Sequence, residues 1–445
     1  MINLYPHQKD ALEKLKGKNK VAIYYDMGLG KTFIGSEKMM SFGTGINLVI
    51  VQKSKVDDWV EHFKEYYNEF PYLIEVYDLT KKKEYEKFIT SSKEVNEPNE
   101  IYDEWTGQYC FEPSLDPRQI IGIINYDLVW RREELLKLRD FTLMLDESSL
   151  IQNESSKRTK FITKLAATNI ILLSGTPCSG KYENLYSQAK LLGWNITKTE
   201  FWDRYIRTRD IPGNGFPIKI VIGYKNVDEL KDKLREHGAI FLKTEEVLDL
   251  PEQTNITVKC DRTKEYTDFT KSFYIHIDGK ELIGETTLTK MLYLRQLASA
   301  YNDNKINALK ELIESTNDRL IIFYNFNIEL EILKKVCKDR PLSFINGTCK
   351  DLNNYETQDD SITLCQYQSA SKGLNLQKAN KIIYFSLPLS CENFMQSKKR
   401  IHRIGQKNTC FYYYLITKNS IDEKIYRSLE KGKDYTNELF REEYE

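Results

Sequence analysis

Residues 26–32, DMGLGKT, carry the side-chain types and spacing that hold phosphate groups. An apolar run, Val21 to Tyr25, precedes them, and a helix-like run, Phe33 to Met40, follows. Gly28 and Gly30 let the backbone turn tightly and aim its N–H groups at an anion, and the helix N-terminus adds positive potential. Lys31 has the reach for β- and γ-phosphates, and the Thr32 hydroxyl suits Mg²⁺. The usual loop has another glycine five residues before Gly30, where Tyr25 stands here. A bare glycine turn at a helix start is the plain alternative. A strand, Gly-Lys and Thr in register argue against it.

The second set of candidates is LMLDESSLIQN, 143–153. Its apolar run ends in two acids, which places Asp146 and Glu147 at the C-terminal end of a strand. Ligands of open α/β sheets bind at that end. There Asp146 can hold Mg²⁺ through water, and Glu147 can orient or deprotonate an attacking water. Asp-Glu after a strand is common, so the pair gains meaning from the phosphate loop upstream.

The elements that must position these residues are legible as two series. INLVIV (46–51), IIGIIN (120–125), FTLMLD (141–146) and NIILLS (169–174) are short and nearly all apolar. Such runs suit parallel strands buried on both faces. Helix-like stretches at Val56–Tyr67 and Arg132–Leu138 lie between them. A later series comprises RLIIFY (319–324), PLSFIN (341–346), SITLCQY (361–367), NKIIYFS (380–386) and CFYYYLIT (410–417), with helical patterns at 304–316 and 326–338. This alternation is the rhythm of open, doubly wound sheets. The chain is thus expected to form two α/β lobes, 1–190 and 301–445. A helix-rich segment, 191–300 with a Pro/Gly turn at 211–217, lies between them.

Composition sets outer limits. The 445 residues suffice for two or three cores, and 41% hydrophobic with 29% charged residues fits a soluble globular protein. No run approaches a membrane span. MINLYPHQ reads as fold sequence, so no signal peptide is expected. The eight cysteines form no CxxC pair and read as reduced thiols of a cytosolic protein, with no zinc site. With 65 basic and 65 acidic residues the net charge is zero. A nucleic-acid partner would need locally segregated charge.

Taken together the motifs resemble the Swi/Snf-type DNA translocases of helicase superfamily II, almost from end to end. LYPHQ resembles the adenine-sensing glutamine motif, which implies Gln8 on the adenine edge. DMGLGKT resembles motif I, including its departure at Tyr25. LVIVQKSKVDDWVEHF (48–63) resembles motif Ia, a strand followed by a tryptophan-bearing helix. INYD (124–127) resembles motif Ib, LLSGTPCSG (172–180) motif III and LIIFYNF (320–326) motif IV. AIFLKTEEVLDLPEQ (239–253) resembles a family-specific joining segment, and QSKKRIHRIGQ (396–406) motif VI.

The resemblance implies two RecA-like lobes, ATP and Mg²⁺ as cofactors, and Thr32 and Asp146 on the metal. It implies Arg400 and Arg403 as arginine fingers, a role suited to a permanently charged forked donor. Ser174, Gly175, Thr176 and Gln396 would couple nucleotide state to a nucleic-acid track. Lys53, Ser54, Asn125, Asn346, Lys372 and Asn375 would contact that track, and Gly373 would lie near the nucleotide. Such contacts go to phosphates and carry little base specificity.

Two departures stand out. Ser149 occupies a position the family usually gives to His. SASKGLNL (369–376) has Ala370 and Ser371 where motif V usually has a glycine pair. The expectation is a monomeric, cytoplasmic translocase of bacterial or phage origin, tracking duplex DNA without strand separation. The alternatives are a strand-separating helicase of DNA or RNA, a nucleotide-gated DNA-binding protein, and the motor subunit of a defence complex.

Overall fold

The apolar runs become parallel strands because a strand covered on both faces has no side left for water. A computed structural model describes residues 4–26, 28–67, 73–96, 99–103, 108–112, 118–178, 181–211, 218–243, 250–367, 375–403 and 405–432. Lys372 and Gly373, with Ala370 and Ser371, lie outside the described residues, as do 212–217 of the Pro/Gly turn. The chain divides into two units, Met1–Val247 and Leu248–Glu445.

The first unit contains β1 (Lys20–Tyr25), β2 (Ile46–Val51), β3 (Leu73–Asp78), β4 (Asn99–Asp103), β5 (Gln108–Glu112), β6 (Arg118–Asn125), β7 (Phe141–Asp146), β8 (Asn169–Leu173), β9 (Ile206–Ile211), β10 (Ile218–Tyr224) and β11 (Ala239–Leu242). Seven of them form one parallel sheet in the order β11-β1-β8-β7-β2-β6-β3. β4–β5 and β9–β10 are separate antiparallel pairs. Its helices are α1 (Pro6–Lys14), α2 (Lys31–Met40), α3 (Val56–Tyr66), α4 (Lys82–Asn96), α5 (Lys157–Ile162), α6 (Tyr186–Leu191), α7 (Lys198–Tyr205) and α8 (Val227–Glu236).

Register aligns the functional strand ends. Leu173 of β8 pairs with Ile23 of β1 on one side and with Asp146 of β7 on the other. Because all seven strands run the same way, the loops after β1, β2, β6, β7 and β8 emerge on one edge of the sheet. That edge receives the phosphate loop, the acid pair and the 174–177 turn. The backbone N–H of Asp26, where the phosphate loop begins, donates to Leu242 O at the end of β11 (3.0 Å).

The second unit has β12 (Gln253–Cys260), β13 (Tyr274–Ile277), β14 (Lys280–Ile283), β15 (Leu320–Tyr324), β16 (Leu342–Ile345), β17 (Lys350–Asp351), β18 (Ile362–Gln366), β19 (Lys381–Tyr384) and β20 (Cys410–Thr417). Its sheet runs β12-β20-β19-β15-β18-β16-β17, parallel except for the antiparallel β16–β17 pair. The two-sheet α/β architecture matches the sequence reading.

The interior of 191–300 is more mixed than its helical pattern suggests. Its described residues hold four helices, α7, α8, Lys264–Ser272 and Thr287–Ala298. They also hold two antiparallel pairs and one strand of each large sheet, β11 and β12. Arg132–Leu138 is not an α-helix. Two short 3₁₀ turns, Val129–Arg131 and Glu133–Lys137, flank Arg132, whose backbone leaves the helical region at φ −109°, ψ 69°. Its guanidinium donates to Leu79 O and Thr80 O (3.3 and 3.4 Å), which holds the break in place. Among the described residues no helix is long and apolar enough to cross a membrane.

Candidate functional site

The phosphate loop is shaped by two left-handed glycines, Gly28 at φ 89° and Gly30 at φ 70°. Gly30 is the N-cap of α2 and offers no side chain to the helix end, so the first N–H groups of α2 face outward, ready for an anion. A Cβ on Gly30 would lie 2.1 Å from Gln8 Nε2, so the loop accepts only glycine there without displacing Gln8. Gln8 is buried on α1. Its Oε1 accepts from Tyr5 N–H (2.8 Å) and its Nε2 donates to Gly30 O (3.3 Å). His7 adds a second link, from Nε2 to Leu29 O (3.1 Å). Gln8 and the glycine loop are thus one hydrogen-bonded unit.

Lys31 folds back over the loop. Its Nζ donates to Tyr25 O (2.9 Å) and Asp26 O (3.2 Å). The same charge acts on Asp146, at the end of β7. Asp146 is half-buried, and its loss of hydration raises its carboxyl above the ordinary value. A 2.9 Å hydrogen bond from Trp59 Nε1, then Lys31 and Lys55, pull it back down. A divalent cation would complete that second set of effects. Among the described residues no group of three His, Cys, Asp or Glu could cage a metal. An ion held by Thr32 and Asp146 must therefore take the rest of its shell from water and phosphate, as Mg²⁺ does readily.

Glu147 is left-handed, at φ 55° and ψ 60°. A non-glycine residue there costs about 1 kcal/mol or more. Such strain gathers at functional sites and persists only when neighbours impose it. Tyr126 does so here: its hydroxyl donates to Asp146 O (2.9 Å) and leans toward Glu147 O (3.4 Å). Glu147 Oε2 is enclosed by protein. Ser149, next but one, is also buried, and among the described residues its hydroxyl has no hydrogen-bond partner.

The remaining first-unit candidates share the same edge. Lys53 and Ser54 are exposed in a short turn just after β2. Asn125 ends β6 and is buried; its Oδ1 accepts from Asp127 N–H and Leu128 N–H (both 3.0 Å), which shapes the turn. Ser174 Oγ accepts from Thr176 N–H (3.2 Å), so Ser174, Gly175 and Thr176 form a compact turn.

In the second unit the structure joins two residues that the sequence assigns to different tasks. Arg403 donates to Asn375 Oδ1. Burial lowers the pKa of Arg403, and its Nε has no hydrogen-bond partner among the described residues. Arg400 is buried, and its carbonyl accepts from Leu376 N–H (3.1 Å). Gln396 is buried in the helix Cys391–Lys398, where its Nε2 donates to Glu392 (3.0 Å). Asn346 Oδ1 is engaged by Thr348 N–H (3.0 Å), the Thr348 hydroxyl (2.9 Å) and Cys349 N–H (2.9 Å), again a turn.

Sequence reading gave no site role to Trp59, Tyr126, Ser148 or Gln188. Trp59 had a signal, its place in the motif Ia helix. Gln188 had none, since LYSQAKLL also holds Ser187 and Lys190.

A glycine loop, a lysine and an acid pair on one edge of a parallel sheet define a phosphate-binding α/β protein. Residues 10–336 match the SNF2-related domain, and residues 304–405 match the helicase conserved C-terminal domain. The chain belongs to the SNF2-related family. It is 22% identical over 459 residues to the SWI/SNF-related matrix-associated actin-dependent regulator of chromatin subfamily A-like protein 1 of Xenopus tropicalis, covering 96% of this chain and 44% of that protein. It is 24% identical to the DNA repair and recombination protein RAD26 of Saccharomyces cerevisiae, covering 90% of this chain and 43% of that one. The putative ATP-dependent helicase/translocase YwqA of Bacillus subtilis is 24% identical over 70% of this chain and 37% of its own length. The chain thus spans less than half the length of these relatives. The solved Sulfolobus solfataricus SWI2/SNF2 ATPase core in complex with dsDNA aligns over 97% of this chain and 91% of its own, at 19% identity and TM-score 0.43.

Proposed function

We propose that this chain is an ATP-hydrolysing motor that tracks along double-stranded DNA and remodels DNA or protein–DNA complexes without separating strands. The observation that carries the reading is the convergence of Gly28, Gly30, Lys31, Asp146 and Glu147 on one sheet edge, in a chain of the SNF2-related family. In this reading Gln8 meets the adenine and the N–H groups after Gly30 hold the phosphates. Lys31 leaves the carbonyls of Tyr25 and Asp26 for the β- and γ-phosphates. Mg²⁺, taken by Thr32 and Asp146, would neutralise phosphate charge. Glu147 accepts the proton of the attacking water. Arg400 and Arg403 serve the transferring phosphoryl group, whose developing charge needs a guanidinium more than the ground state does.

On the nucleic-acid side, Lys53, Ser54, Lys372 and Asn375 contact backbone phosphates. Asn125 and Asn346 act through the turns they shape. Gly373 serves the nucleotide, and Gln396 with the 174–176 turn relays between the two tasks. We place the motor in the cytoplasm of a bacterial or phage-infected cell, working as a monomer.

ATP turnover measured with no nucleic acid, single strands, duplex DNA and RNA tests the reading. Duplex DNA should stimulate most, with affinity falling as salt rises because phosphate contacts release counterions. No labelled strand should be displaced from a blunt duplex. Stimulation by RNA alone, or robust strand displacement, would overturn the proposal.

A further inference from the structure

Gln188 of α6 sits where three segments of the first unit meet. It is fully buried. Its Oε1 accepts from the Ser148 hydroxyl (2.7 Å) and from the Tyr24 hydroxyl (3.0 Å). Its Nε2 donates to Pro177 O (2.8 Å). Two donors fill both lone pairs of the amide oxygen. Flipping the amide would set N–H groups against two hydroxyls and oxygen against a carbonyl, so the network fixes one orientation. Burial raises the pKa of Tyr24, which keeps its hydroxyl a donor.

The three partners have different meanings. Ser148 follows Glu147, the residue whose strained backbone ends the acid pair. Pro177 closes the turn that holds Ser174, Gly175 and Thr176. Tyr24 is part of β1 and belongs to the sheet. A single amide therefore connects the acid-pair loop to the 174–177 turn, with β1 as a fixed post. Ser149, by contrast, reaches neither: its buried hydroxyl has no hydrogen-bond partner among the described residues.

We infer that Gln188 is a positioning residue that transmits the state of the nucleotide site, through Ser148, to the 174–177 turn. The inference rests on the proposed reading of this edge as an ATP site coupled to a nucleic-acid track. A nucleotide that shifts Glu147 drags Ser148 with it. The amide cannot follow Ser148 without pulling on Pro177, because it is fully buried and hydrogen-bonded to both.

The test compares Gln188→Leu, Ser148→Ala and Tyr24→Phe with the wild type. Amide hydrogen exchange is followed at 28–34 and at 174–178, with and without Mg²⁺ and a non-hydrolysable ATP analogue. ATPase is assayed with and without duplex DNA, and melting temperature is recorded for each protein. In the wild type the analogue should slow exchange in both segments. In Gln188→Leu and Ser148→Ala, protection at 28–34 should persist. Protection at 174–178 should fall by about tenfold, the scale of one lost buried hydrogen bond, and DNA stimulation should fall with it. Tyr24→Phe removes a hydrogen bond from the same oxygen but not from either loop. It should lower the melting temperature and leave both protections intact.

Ser148→Ala carries the test where Gln188→Leu does not fold, since it deletes one oxygen only. Wild-type protection at 174–178 in Gln188→Leu or Ser148→Ala would overturn the inference. So would an equal loss in Tyr24→Phe, which would make Gln188 a packing residue. A wild type with protection at neither segment would instead sink the underlying ATP-site reading.

Discussion

Each unit carries a carboxylate at the C-terminal edge of a parallel sheet, and the two carboxylates are treated in opposite ways. Glu329, in the helix Asn327–Val336 after β15, is fully buried. It accepts from Asn325 N–H (2.8 Å), Phe326 N–H (3.0 Å), the Ser386 hydroxyl (2.8 Å) and the Ser299 hydroxyl. The half-buried Arg295 balances its charge and donates to Leu387 O (2.9 Å). The loops after β15 and β19 are thereby sewn together: Asn325 Nδ2 reaches Ser386 Oγ (2.9 Å) and Leu387 O (3.0 Å). Asp146 instead receives an indole N–H and the field of two lysines, and its burial still raises the carboxyl. One edge spends its carboxylate on its own backbone. The other holds its carboxylate where an incoming cation gains from it. The same fold edge thus serves as a clamp in one unit and a binding site in the other, and the local donors decide which.

The largest effect should come from the binding edge. Lys31→Ala is expected to cut ATP turnover on the order of a thousandfold, the scale for losing one preorganised charged donor. Glu147→Gln should retain nucleotide affinity and turn over very slowly, because an amide cannot take the proton. Steady-state ATPase and equilibrium nucleotide binding check both. Wild-type turnover by Lys31→Ala would dissolve the contrast between the two edges.

The clamp should fail in stability. Glu329→Gln replaces one accepting oxygen with an N–H₂ donor and removes the charge that faces Arg295. Urea unfolding should show a loss of about 4 kcal/mol, the scale for breaking a buried charge network from one side. A loss within experimental error would mean that the hydrogen bonds to Glu329 are ornamental and the edge is not a clamp.

A smaller, pH-dependent effect sharpens the picture of the binding edge. His62 on α3 packs against Trp59, with ring centroids 5.4 Å apart, and touches Ser36 Oγ at 3.0 Å. Burial lowers its pKa from 6.5 to about 4. The unfolded chain therefore binds a proton that the folded chain refuses within that window. Stability is full above the unfolded value and is lost as pH falls from 6.5 toward about 4. The loss amounts to roughly 3 kcal/mol at most. Melting curves across that range should slope less for His62→Gln than for the wild type. Equal slopes would show that His62 does not carry this layer.

Strands covered on both faces announce themselves in sequence, which is why β2, β6, β7, β8, β15, β18, β19 and β20 are legible as apolar runs. β3 and β12 are not, because each lies at a sheet edge and keeps polar residues in alternation, as in QTNITVKC. β11 has only four residues, inside a stretch that reads as a connection. The chemical residues are legible for a similar reason. Gly28, Gly30, Lys31, Asp146 and Glu147 sit at junctions where local sequence fixes backbone and charge together. Trp59 and Gln188 act on partners 87 and 40 residues away, at Asp146 and Ser148. Nothing local to either reveals the partner, and only the folded register supplies it.

The hydrogen bond between Asp26 and Leu242 has a mechanical meaning. Leu242 is the last residue of β11, so the chain that continues toward β12 departs from the residue that braces the start of the phosphate loop. β11 is short and holds the sheet only through β1, along four paired positions from Ala239 to Leu242. Force applied along the departing chain is met first at the Leu242 end of that ladder. The attachment point of the tether is thus also the foundation of the loop. Any load on the connection is felt by the glycine turn before it reaches the interior of the sheet.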